Sequence, residues 1–113
     1  MATDVRVVLM TAPDAEVGER LATTLVSERL ATCANVLPAI RSIYWWEGKV
    51  ERAGESLLVL KTVEDRIPAL RERAVGLHPY DVPELLVLEV GEGYEPYLEW
   101  VRRESVPRLA GEV

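Results

Sequence analysis

Three short runs of this chain, residues 5–10, 57–60 and 85–88, carry apolar side chains at nearly every position rather than at alternate ones. Successive side chains of a strand point to opposite faces, so such runs form strands that are apolar on both sides of their sheet. Both faces of that sheet must then be covered, and this is the strictest demand the sequence makes. The segments between the runs indicate how far one chain can meet it.

Ala12-Pro13-Asp14 breaks the first run. Asp14 suits a helix N-cap, Glu16 adds favourable charge in the first turn, and Val17, Leu21 and Leu25 recur at helical spacing. This pattern predicts a helix running to about Leu30. Cys33–Trp46 is rich in β-formers, and Glu47-Gly48 offers a two-residue turn into Lys49-Val50-Glu51. The expected ribbon stumbles at Ala53-Gly54 and resumes over residues 55–61. Pro38 inside its first arm predicts an edge position or a bulge there. A second helix is expected to begin within residues 62–65. Pro68 is tolerated in its first turn, and Ile67, Leu70, Ala74 and Leu77 form its buried stripe. His78-Pro79-Tyr80 ends it. Residues 83–90 form a last strand, and Pro96 opens a final helix with Tyr97, Leu98 and Val101 facing inward.

The order β-α-β-β-α-β plus a C-terminal helix is the split pattern of an α+β, ferredoxin-like antiparallel sheet. Right-handed crossovers place both main helices on one face. The final helix is too short to cover the other face alone, so self-association is the simplest cover.

Composition narrows the function classes. The 113 residues suit one domain, 1–113, and 19 acidic against 13 basic residues give a net charge of −6. Phosphate backbones need clustered cations, so nucleic acid is not an expected partner. The single cysteine, Cys33, allows no disulfide within the chain and suits a reducing compartment. The apolar run at residues 5–10 is too short to span a bilayer and lacks a basic leader segment. A soluble, cytoplasmic protein without a membrane partner is expected. Neither a nucleophile–base constellation nor a phosphate-binding glycine pattern is apparent, and no enzymatic activity is expected.

Longer blocks carry a resemblance. From Cys33 the chain runs CANVLPAIRSIYWWEGKVERAGESLLVLKT, followed later by LHPYDVPELLVLEV and YLEWV. With Thr11-Ala12-Pro13, these blocks resemble the CutA-type divalent-cation tolerance family over nearly the whole chain. The resemblance implies a homotrimer related in architecture to PII signalling proteins, tolerance to copper and other divalent cations, and no obligatory cofactor.

The candidate residues carry less chemistry than that name suggests. His78 is the only histidine and the natural imidazole ligand, although a helix C-terminus also favours it there. Cys33, between Thr32 and Ala34, suits a small packed thiol; a ligand role needs thiolate character. Met10 is a soft thioether suited to Cu(I). Some relatives carry a cysteine in place of Met10, or a second histidine in place of Leu77. Tyr44 and Trp46 share one ribbon face with Ser42, and Ile43 and Trp45 share the other. The first pair is expected to anchor a neighbouring subunit. Lys61, Tyr80, Glu84 and Trp100 complete the candidate cleft and interface set, with Lys61, His78 and Glu84 as a charged cluster. The leading expectation is a non-enzymatic metal-binding trimer. The alternative is a PII-like signalling module that binds a small anionic effector between subunits.

Overall fold

The computed structural model describes residues 2–107. Its elements are β1 (Val5–Ala12), α1 (Ala15–Ser27), β2 (Cys33–Trp46), β3 (Lys49–Val63), α2 (Ile67–Leu77), β4 (Leu85–Glu89) and α3 (Glu95–Glu104). The strands form one antiparallel sheet in the order β2-β3-β1-β4. The expected α+β, ferredoxin-like arrangement is present.

The centre of one face of the sheet is sealed, while Val87 at its β4 edge stays exposed. Val8, Met10 and Ala12 of β1 and Leu58 and Leu60 of β3 pack against Leu21, Ala22 and Leu25 of α1 and Ile67, Leu70 and Ala74 of α2. Asp14 caps α1 by accepting the Val17 N–H at 2.9 Å. Gly18 brings α1 close to β3: a Cβ there would stand 2.5 Å from Ser56 Oγ, whose hydroxyl donates to the Asp14 carbonyl. The helix stops at Ser27, before the expected Leu30, because Arg29 turns to a φ of 59° and reverses the chain.

The ribbon forms as expected, with one relocation. Glu47 and Gly48 both have positive φ, the geometry that joins twisted strands through two residues. The irregularity falls between Leu37 and Ile40 rather than at Ala53-Gly54, which pair in register with Ser42 and Arg41. β2 is an edge strand, so Pro38 costs no ladder bond, and the extra residue is accommodated there. That extra residue inverts the facing of β2. Cys33, Asn35 and Leu37 share the open sheet face, and beyond the bulge Ile40, Ser42, Tyr44 and Trp46 take it over. Beyond Ser56, β3 has no β1 partner, so the ribbon projects from the body.

Three further expectations are corrected. Thr62 and Val63 remain in β3, paired with Arg6 and Val5, and a short 3-10 turn at Glu64–Arg66 precedes α2. Leu77 is exposed, because α2 ends there and its last turn overhangs the core. Tyr97 is largely exposed, whereas Leu98 and Val101 are buried as expected.

α3 lies on the other face. Leu98 and Val101 close over Val5, with Val63 and Val90 packed beside them. Thr32 Oγ1 donates to the Val101 carbonyl at 2.7 Å, and Arg29 pairs with Glu104 at 3.0 Å. Arg102 binds both Asp4 and Glu95. These contacts cover one end of the face only. Val7, Leu9, Leu57 and Val59 remain half-buried along its centre, and Leu37, Leu86 and Leu88 are exposed.

Candidate functional site

The candidate residues separate into three places. Met10 is fully buried on the helix-covered face, sealed by α1 and α2. Cys33 faces the opposite way, since its register partners, Lys61 and then Val7, alternate with Met10 along β1. His78 caps the C-terminus of α2. These three expected ligands do not converge within one chain. Met10 is also unable to meet a cation without opening the core, which corrects its assignment.

His78 is held by two directed bonds. Nδ1 accepts the Tyr80 N–H at 3.1 Å, which leaves the ring proton on Nε2 to donate to the Thr11 carbonyl at 2.7 Å. Both nitrogens are occupied, and the ring sits 4.8 Å from that of Tyr80. The geometry is that of a structural imidazole tying the end of α2 to the end of β1. A metal would have to displace one of these bonds. Tyr80 extends the tie by donating its hydroxyl to Glu55 Oε2 at 2.8 Å, at the base of the ribbon. Burial, then the bond to Glu55, with smaller contributions from the Tyr44 and Asp14 charges, pushes the Tyr80 phenol up to about 12. Glu55 belongs to the resemblance blocks, but this role was not predicted. Its only sequence signal is a carboxylate next to the open-face apolar run of β3.

The second place lies on the open face. Cys33 is half-buried rather than sealed, and its Sγ stands 3.6 Å from Tyr97 Oη. Desolvation and that thiol contact push the Tyr97 phenol up to about 12. Lys61 lies opposite Cys33 across the ladder and donates to Asn35 Oδ1. Trp100 packs its ring 5.6 Å from that of Tyr97. Cys33, Lys61, Asn35, Tyr97 and Trp100 thus edge an apolar surface with polar groups. Lys61 pairs with Val7, four residues along β1 from Thr11. At strand rise that is about 13 Å, so Lys61 and His78 do not share a site within one chain. Glu84 is exposed in the connection before β4.

The third place is the ribbon. Tyr44 and Trp46 lie on the open-face side and are exposed, as are Ile43 and Trp45 on the reverse. Among the described residues, no group of three His, Cys, Asp or Glu is placed to hold a metal ion. No helix there is long and apolar enough to cross a membrane.

The fold and these residues have counterparts. The family described as CutA1 divalent ion tolerance protein matches residues 6–104. The divalent-cation tolerance protein CutA of Thermus thermophilus is 46% identical over 99 residues, covering 88% of this chain and 96% of that protein. The chloroplastic protein CutA 1 of Oryza sativa is 46% identical over 99 residues, but the match covers 56% of its length. This chain thus spans about half of that longer plant relative. Among solved structures, CutA from Xylella fastidiosa superposes with a TM-score of 0.89 at 38% identity, covering 92% of this chain and 100% of that one. The Thermus thermophilus Cut A1 structure gives 0.86 at 46% identity, covering 88% and 97%. On this evidence the chain belongs to the CutA1 divalent ion tolerance family.

Proposed function

We propose that the protein serves divalent-cation tolerance, with copper as the leading cation, as a non-enzymatic homotrimer that meets the ion between subunits. Family membership supports the role. The observation that carries the assembly is the half-covered sheet face, apolar from Val7 and Leu9 to Leu86 and Leu88, with Tyr44 and Trp46 turned toward the same side. Contiguous apolar surface of that kind, rimmed by polar groups, marks an interaction site.

Closed metal sites take three or four protein ligands. Within one chain no such set is assembled among the described residues, so ligands from more than one copy are required. Cys33 is the best placed contributor, because its thiol lies on the face assigned to assembly. Such a site is weak and follows the Irving–Williams order, with Cu(II) ahead of Zn(II). Calorimetry with both ions on wild type, Cys33→Ser, His78→Ala and Met10→Leu tests this. Affinity should fall in Cys33→Ser and stay unchanged in Met10→Leu. Uptake that survives Cys33→Ser and vanishes in His78→Ala would move the site to the α2 terminus and refute the subunit-face assignment.

The second reading, a PII-like module for a small anionic effector, is favoured by Lys61. Its ammonium and the Asn35 amide sit beside an otherwise apolar surface. Binding of an anionic metabolite that is lost in Lys61→Ala, with no cation uptake in wild type, would select it.

A further inference from the structure

The bulge at Pro38 that turns Tyr44 and Trp46 toward the open face also turns Arg41, Ile43 and Trp45 to the reverse side of the ribbon. There they meet Gly54, Arg52 and Val50 across the ladder. Trp45 is 74% exposed and Ile43 63%, the former the highest of the chain's aromatic residues apart from Tyr94. The Tyr44 side is mixed in charge, with Glu51 opposite Tyr44, Glu55 opposite Ile40 and Lys49 opposite Trp46, whereas the reverse side holds two arginines and no acid. Arg41 and Arg52, like Arg66 and Arg71, make no ion pair among the described residues. An acidic protein therefore carries, on a projecting arm, an aromatic and aliphatic patch flanked by free guanidinium groups.

We propose that this reverse side of the ribbon, Arg41, Ile43, Trp45, Val50 and Arg52, docks on an anionic lipid surface. The shape favours a membrane over a peptide. A two-stranded ribbon free of β1 has no third strand with which to form a groove, whereas an interface accepts a protruding tryptophan at headgroup depth with arginines on the phosphates. Charge complementarity favours an anionic leaflet, because each basic residue near it adds attraction. The ribbon, residues 40–55, carries three acids and three bases, so the net charge of −6 belongs to the rest of the chain. Trp45 pairs with Val50, six residues beyond the last β1-paired position, Ser56. That is about 20 Å along the strand, roughly two screening lengths at physiological salt. The sequence-based expectation of no membrane partner rested on the lack of a spanning segment, and peripheral contact needs none. The proposal rests on the ribbon alone and not on the metal reading.

Co-sedimentation with phosphatidylcholine vesicles, with and without phosphatidylserine, tests it on the full chain. Wild type should bind only the vesicles with phosphatidylserine, and less as salt rises. The Arg41→Gln/Arg52→Gln pair should weaken binding about tenfold or more, and Trp45→Ser should weaken it comparably, both with unchanged circular dichroism. Light scattering on Trp45→Ser should still show the wild-type assembly. Loss of assembly would make this side a subunit contact and overturn the proposal. So would absence of vesicle binding, binding that survives these substitutions, or capture of polyglutamate or a single-stranded oligonucleotide in place of vesicles.

Discussion

The same strands build two unlike faces. On one, Val8, Met10, Leu58 and Leu60 vanish beneath α1 and α2; on the other, their neighbours Val7, Leu9, Leu57 and Val59 stay half-buried beyond the end that α3 covers. Residues adjacent in sequence and of equal hydrophobicity thus have different work. The covered side determines whether the monomer folds. On the proposed reading, the open side determines what the folded monomer joins. In the functional reading, chemistry belongs to the open side and its rim, where Cys33, Lys61 and the ribbon lie.

Adjacent residues give the sharpest way to break this contrast. Leu60→Ala removes a fully buried side chain from the covered face and should cost about 2–5 kcal/mol in urea unfolding. Val59→Ala, one position away on the open face, should cost clearly less in the fold and show mainly as weaker assembly at low concentration. Equal losses of fold stability would mean that the faces do not differ as described.

A smaller effect probes how closely the covered face is packed. In Gly18→Ala the new methyl meets the buried Ser56 hydroxyl, so the clash or its relief should cost about 1–3 kcal/mol. The pair Gly18→Ala/Ser56→Ala should recover part of that loss. No recovery would place the strain elsewhere.

The smallest expected effect lies at the rim, where Tyr80 bonds Glu55. A phenol raised to about 12 from an ordinary 10 holds its proton more tightly in the folded chain. Its contribution is therefore complete below pH 10 and lost as pH rises from 10 toward 12. Melting temperature followed over that window should fall more in wild type than in Tyr80→Phe. Parallel curves would separate Tyr80 from alkaline stability.

Local signals were legible in the sequence because their causes are local. The Asp14 cap, the Glu47-Gly48 turn, the edge position and bulge at Pro38, and the end of α2 at His78 each follow from a few neighbouring residues. The burial of Leu77 was misjudged, since helical periodicity does not tell where a helix outruns its sheet. The candidate site was legible as a set of residues and not as a geometry. Tyr80 finds Glu55 across 25 positions, and His78 finds the Thr11 carbonyl across 67. No spacing rule encodes such partners; they follow from strand order. Residue chemistry alone grouped His78, Met10 and Cys33, and the register separates them.

The central claim is that the open face is covered by further copies of the chain. Sedimentation equilibrium on wild type and Val59→Asp tests it most directly, because an aspartate at the centre of that face is tolerable in water and unfavourable in an apolar interface. The account predicts a wild type of three times the chain mass down to low concentration, and a smaller, still folded species for Val59→Asp. A wild type that sediments as a stable folded monomer, or a Val59→Asp variant that stays trimeric, would contradict it.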